Sequence, residues 1–315
     1  MYTHKGNYKK SINFLKFLLT KRWKEVLMFS KRPDGRVLRT LAPMERIMPY
    51  VMKTRNDSMN MYQDTFNCAP MDEYIKAKAE EGIKLDYMDI VIAAVVRIIA
   101  LYPVLNRFVM NGRIYARPKI WVSFTMHPKL KKGDVETTIK MCFEGTETIT
   151  EIAAKIDEYI AKETTQKVED NATDQFINKL MKYLPSFLIK LVVDVLMWMD
   201  KHNIMPKFIV DLSPFHTSLY ITNLKSLGIN HIFHHVYNFG TTGLFIAMGK
   251  EKKVASVDNN TGEVVMQKHM GFGLTSDERF CDGLHFALAL RHLRKIMKNP
   301  ACLEIPLEKK VEDID

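Results

Sequence analysis

Residues 273–284 read GLTSDERFCDGL and hold the densest set of chemistry-bearing side chains in this sequence. An apolar strand there runs into the charged turn Asp277-Glu278-Arg279 and then into Asp282-Gly283 at a helix start. Asp282 can accept N–H bonds at that start or pair with an arginine, and Gly283 permits a tight turn. Cys281 is a candidate nucleophile, but a cysteine so placed also packs as a small apolar side chain, and that is the expectation. His231, His234 and His235 could supply an imidazole; the competing reading is histidines hydrogen-bonded in a strand or at an interface. His285 and His292 sit seven apart and line one face of the last helix.

Other chemistries lack their residues. No glycine-rich dinucleotide loop follows a strand, and P-loop, HExxH and GxSxG patterns are absent. Gly271-Phe272-Gly273 is an isolated glycine pair of little weight. Cys68, Cys142, Cys281 and Cys302 are widely spaced, with no CxxC and no Cys/His pair at metal-ligand intervals. No metal is expected, and a reducing compartment is.

The elements that must carry these residues follow from periodicity. Apolar positions between residues 85 and 101 form a wide helical face, which Tyr102-Pro103 stops. A shorter helix is expected over 71–80. Residues 112–115, 120–126 and 135–143 alternate like strands, the last after the Lys132-Gly133-Asp134 turn. Thr148 with Glu151 is a capping box opening a helix to about residue 162. Two apolar helical runs, 176–184 and 187–200, flank Pro185. Buried strands are expected at 217–224 and 244–248, a hairpin turns at 258–262 into a second arm at 263–269, and a closing amphipathic helix covers 283–298. Strands and helices mix without regular βαβ alternation, which predicts an α+β layered sheet.

Composition sets the frame. Of the 315 residues 47% are apolar and 26% charged, which excludes disordered, collagenous and coiled-coil classes. The net charge of +10 is concentrated: residues 1–40 hold eleven basic and two acidic side chains. The expected organisation is a basic amphipathic arm (1–40), a nearly neutral body (41–305) with an apolar helical insertion at about 165–217, and a loose acidic tail (306–315). Residues 10–30 set Ile12, Leu15, Leu19, Trp23 and Val26 at helical steps among basic residues. That helix either meets a membrane surface or acidic partner, or packs on the body or a neighbouring subunit. No signal peptide or spanning helix is read, so the chain is expected to be cytoplasmic, with peripheral membrane association open. Nucleic-acid binding is not expected.

The block at 273–284 resembles the closing D-H-R-x-x-D-G motif of the dihydrolipoyl acyltransferase cores of 2-oxoacid dehydrogenase complexes, whose cousins are the chloramphenicol acetyltransferases. Asp277, Arg279, Asp282 and Gly283 match in register. Tyr102-Pro103-Val104-Leu105-Asn106 is similar to the family's Y-P-x-L-N turn, residues 112–124 to the strand pair that follows, and 148–160 to its S-L-x-E-I-A helix. Ile221-Thr222-Asn223-Leu224 with Leu227-Gly228 resembles I-S-N-L-G, and 246–249 resembles I-L-A-V-G. The resemblance covers about residues 41–305, in order.

It implies the α+β fold of CoA-dependent acyltransferases: a mixed sheet flanked by helices, a homotrimer with sites at subunit boundaries, larger cages built from trimers, and a coenzyme A thioester as substrate. Thr222 matches the hydroxyl that donates to the tetrahedral oxyanion. The family's catalytic histidine falls at Glu278. An ordinary glutamate titrates near 4.3, about two to three units below a suitable base, and serves only where burial raises it. His234 or His235 from a neighbouring chain could pair with that carboxylate. Two functions therefore stand side by side. One is an acyltransferase with an atypical site and an unknown hydroxyl or thiol acceptor. The other is a catalytically inactive trimeric scaffold, ligand-binding or membrane-associated relative. The 165–217 stretch departs from the family's shorter, polar link, and the lipoyl-bearing arm has no counterpart in residues 1–40.

Overall fold

The computed structural model describes residues 32–126, 137–165, 185–257 and 261–315. Strand β1 (Arg36–Val37) and helix α1 (Pro43–Val51) lead to β2 (Met59–Asn67), and α2 (Ala69–Glu80) follows. Helix α3 (Tyr87–Leu101) opens where Asp86 accepts the Asp89 amide at 3.1 Å while Asp89 accepts the Asp86 amide at 2.7 Å. This reciprocal cap satisfies donors that the first turn leaves orphaned. Strands β3 (Arg107–Met110) and β4 (Arg113–Ala116) form a hairpin whose turn places Asn111 and Gly112 at positive φ, 49° and 71°. Then come β5 (Ile120–Met126), β6 (Thr137–Phe143), and α4 (Ile149–Thr165), which Thr148 and Glu151 cap as their spacing predicts. Helices α5 (Ser186–Lys201) and α6 (Lys207–Leu212), strands β7 (Leu219–Asn223), β8 (Leu244–Val257) and β9 (Val264–Asp277), and helix α7 (Gly283–Lys298) complete the order.

Six strands make one mixed sheet in the order β2-β9-β8-β7-β5-β6, parallel at β8-β7 and β7-β5 and antiparallel elsewhere. Helices α3 and α7 cover one face. There Ile246, Phe272 and Leu274 pack with Val95, Leu293 and Met297 in the main core. Burying such side chains contributes roughly 1.5–3 kcal/mol each, which makes this layer the main source of stability. A small three-stranded sheet, β1-β4-β3, stacks Phe108 on Tyr115 beside it.

The other face of the main sheet is crossed by residues 229–239, and the weakly weighted glycine pair has its explanation there. A Cβ on Gly273 would lie 2.0 Å from the Ile232 carbonyl oxygen, and one on Gly249 would lie 2.3 Å from the His231 nitrogen. The crossing backbone can touch the sheet only where side chains are missing. Gly273→Ala should therefore cost about 1–3 kcal/mol, read as a lower urea midpoint.

Several expectations are amended. The run from 244 and the arm from 263 are longer than their apolar parts, because β8 and β9 continue pairing to Val257↔Val264 beyond the core. Residues 32–40 belong to the body: β1 pairs with β4, and Leu38 is buried. The tail is not loose. Asp313 forms an ion pair with Arg107 at 2.6 Å, the Val311 amide donates to the Ala100 carbonyl, and the Asp315 carbonyl accepts from the Arg39 and Thr40 amides. Strand β2 and helices α1 and α6 had no sequence expectation. The basic helix at 10–30, the run at 176–184, the turn at 132–134 and residues 258–260 lie outside the described residues.

Candidate functional site

The motif at the end of β9 is built around Asp277, which is buried. Its carboxylate takes a two-point contact from Arg279, at 2.8 and 2.6 Å, plus the Ser58 hydroxyl at 2.9 Å and the Arg279 amide at 3.1 Å. The Glu278 amide donates to the Ser58 carbonyl at 2.9 Å, tying the turn to the segment before β2. A planar guanidinium locked on a buried carboxylate is a rigid hairpin of charge. Glu278, between the two, points outward. Its carboxylate is exposed and has no hydrogen-bond or ion-pair partner among the described residues.

Asp282 caps α7, accepting the His285 amide at 2.9 Å and lying 2.7 Å from His285 Nδ1. It does not pair with an arginine, because Arg279 is committed to Asp277. Gly283 is not needed for a tight turn either: a Cβ there would meet nothing within 4 Å. Cys281 is 1% exposed, and burial pushes its thiol up to about 12, so it packs as core rather than attacking. Asp282→Ala should lose only the cap, about 1 kcal/mol, seen as a small drop in the unfolding midpoint.

Thr222 sits on β7 opposite Ala247, which in turn faces Gly273. Its hydroxyl, half-buried on the sheet face that 229–239 crosses, has no hydrogen-bond partner among the described residues. Glu278 lies five positions beyond Gly273, just past the end of β9, roughly 16 Å at 3.3 Å per residue. Thr222 and Glu278 therefore do not meet within one protomer. The histidines lie in the crossing segment rather than in a strand. His234 stacks flat on Phe245, ring centroids 4.0 Å apart, and its Nδ1 contacts the His235 carbonyl at 2.9 Å. His235 is exposed and meets Tyr237 edge-on. His231 lies against Gly271, and burial holds its imidazole below the usual range. Val236, next in the chain, donates its amide to the Met59 sulfur, at the β2 end that pairs with Asp277. The crossing segment thus passes from the level of Thr222 to the level of the motif.

A second polar centre had no single motif to announce it. Arg32 binds Asp34 at 2.8 Å and Asp200 at 2.7 Å, and all three side chains are at most 6% exposed. His216 Nε2 faces the same Asp200 at 3.2 Å, off the line of a good hydrogen bond, while its Nδ1 contacts the Ser213 hydroxyl at 2.8 Å. Ser, His and Asp in this order suggest a nucleophile relay, but Ser213 is buried and the carboxylate is held by Arg32. Burial holds His216 below the usual imidazole range despite Asp200. Arg117, over the Phe108 ring, donates to the Thr217 and Thr241 carbonyls. The residues come from widely separated parts of the chain, so spacing could not have revealed them.

Beside this network lies a cleft of about 560 Å³ between α1, the β3–β4 turn and the end of α5. Arg55 on its wall is 4% exposed and gives its guanidinium to the Val109, Tyr237 and Asn238 carbonyls. Among the described residues no carboxylate lies within ion-pair distance, Nε has no partner, and burial pulls the guanidinium down to about 10. It is still charged at neutral pH. Among the described residues no group of three His, Cys, Asp or Glu could hold a metal, and no helix is long and apolar enough to cross a membrane.

No protein-family model matches the chain, and no curated protein matches it in sequence. Solved structures do. The chain is similar to a probable dihydrolipoamide acetyltransferase from Listeria monocytogenes 4b F2365, at TM-score 0.52 and 15% identity over 87% of this chain and 97% of that one. It is also similar to the cubic core of the pyruvate dehydrogenase multienzyme complex, at TM-score 0.52 and 10% identity over 84% and 93%. A truncated catalytic core of the 2-oxoacid dehydrogenase multienzyme complex from Thermoplasma acidophilum gives TM-score 0.50 and 13% identity over 84% and 99%. The fold is that of the acyltransferase cores, as the motif resemblance implies. Identity this low speaks to the fold alone.

Proposed function

We propose that the protein is an acyltransferase with an altered site, moving an acyl group between a coenzyme A thioester and a hydroxyl or thiol acceptor. The site is assembled between copies of the chain. Glu278 of one copy serves as general base and Thr222 of the next donates to the oxyanion. His234 or His235 is the candidate partner that holds the carboxylate. One observation carries this reading: Thr222 and Glu278 are both unpartnered among the described residues and lie near opposite ends of one sheet. A subunit boundary that joins those ends would complete a site that one protomer leaves open, and closure would supply the burial a glutamate base needs. A homotrimer is the assembly that the resemblance implies.

The second reading is a scaffold that has lost the chemistry. The Asp277–Arg279 lock favours it, because that lock shapes the turn whatever side chain stands at 278. Thiol release from a panel of acyl-CoA donors separates the two, comparing the native chain with Glu278→Gln and Glu278→His. Native turnover lost in Glu278→Gln supports the transferase. Silence in both, with activity gained only in Glu278→His, supports the scaffold.

A further inference from the structure

The cleft beside Arg55 has a chemistry of its own. Its wall carries Lys53, Arg55, Lys201 and Arg279 against one carboxylate, Asp200, whose charge Arg32 already takes up. Arg279 is likewise matched by Asp277, so among the described residues the charge without an ion-pair partner is that of Arg55 and the exposed Lys53 and Lys201. A buried guanidinium without a counter-ion is costly unless something anionic arrives. Asn111 and Asn238, also on the wall, can add amide donors. The remaining lining is apolar, including Pro49, Met197 and Phe239. Helix α5, which lends Met197, Asp200 and Lys201 to the wall, also carries Phe187, Leu191 and Trp198 exposed at helical spacing. Basic and apolar side chains lining one cleft are complementary to a molecule with one anionic end and one apolar body. One wall comes from α5, within the stretch that departs from the acyltransferase cores in sequence.

We propose that this cleft binds a single-chain amphiphile with a phosphate or carboxylate head, the head on Arg55, Lys53 and Lys201 and the chain along Met197 and the α5 stripe. The proposal is independent of acyl transfer, since binding is read without turnover. Titration calorimetry of the full chain with decyl phosphate, below its micelle concentration, should show one saturable site per chain. Inorganic phosphate should bind at least about 100-fold more weakly, because it lacks the apolar part. Lys53→Glu and Lys201→Glu should each weaken decyl phosphate at least about tenfold. They are preferred to changes at Arg55, whose loss would also free three backbone carbonyls. Phosphatidylglycerol vesicles test the other source of such a head group. Vesicle binding without binding of monomeric decyl phosphate overturns the cleft as the site. Equal affinity for uncharged decyl maltoside, or affinity unchanged in both lysine variants, overturns it as well.

Discussion

Glu278→Gln should lower thiol release from acyl-CoA by about 10²–10⁴-fold, the usual contribution of a positioned general base. The amide keeps the shape and exposure of the side chain and removes only its ability to take a proton. Because the Asp277–Arg279 pair and the Ser58 contacts hold the turn through other atoms, the variant should fold with an unchanged urea midpoint. Loss of rate without loss of stability is the signature of chemistry at that atom. Glu278→His places there the imidazole that the motif resemblance implies and should retain turnover. A native rate that survives Glu278→Gln would remove the carboxylate from the mechanism.

The second large effect is on stability. Asp200→Ala should destabilise the protein by about 3 kcal/mol, within the range for breaking a buried pair, because Arg32 would keep only Asp34 as a counter-charge while its own charge stayed buried. The same pair predicts a pH dependence. Burial alone would raise the Asp200 carboxyl, but His216 and Arg32 outweigh it and hold the group down to about 2. A carboxyl depressed in the folded state stabilises fully above its unfolded value, near 4, and the benefit is lost as pH falls through the folded value. Roughly 2 kcal/mol should therefore disappear between about pH 4 and pH 2. Urea midpoints across that interval should fall more steeply in the native chain than in Asp200→Ala. Parallel curves would mean that the carboxylate is not held as described.

How much of this was legible in the sequence depends on how local each cause is. Helices α3, α4 and α7 announced themselves because caps, apolar period and stops all lie within a few neighbouring residues. Within 277–283 the helix cap at Asp282 and the packed Cys281 were legible, but the partner of Arg279 was not. Asp282 has no free arginine to pair with only because Arg279 turned back two residues to Asp277. Strand β2 went unread because only five of its nine side chains are partly buried and one is buried, and the inward positions mix polar Asn60 and Asp64 with Tyr62 and Phe66. The cleft and the Arg32–Asp200 network were invisible for another reason: their partners stand 168 residues apart at Arg32 and Asp200 and 183 apart at Arg55 and Asn238. Pairing at that range leaves no periodicity to find.

The central claim is that one working site takes Glu278 from one copy and Thr222 from the next. Subunit mixing tests it directly. Glu278→Gln and Thr222→Val should each be nearly inactive alone, the second by about 10²–10³-fold through loss of an oxyanion donor. When the two variants are unfolded together and refolded as mixed oligomers, some boundaries join an intact Glu278 to an intact Thr222. In a cyclic assembly with random mixing these are about one boundary in four, so thiol release should recover to about a quarter of the native rate. Mixed oligomers that form but remain as inactive as their parents would contradict a site shared between copies.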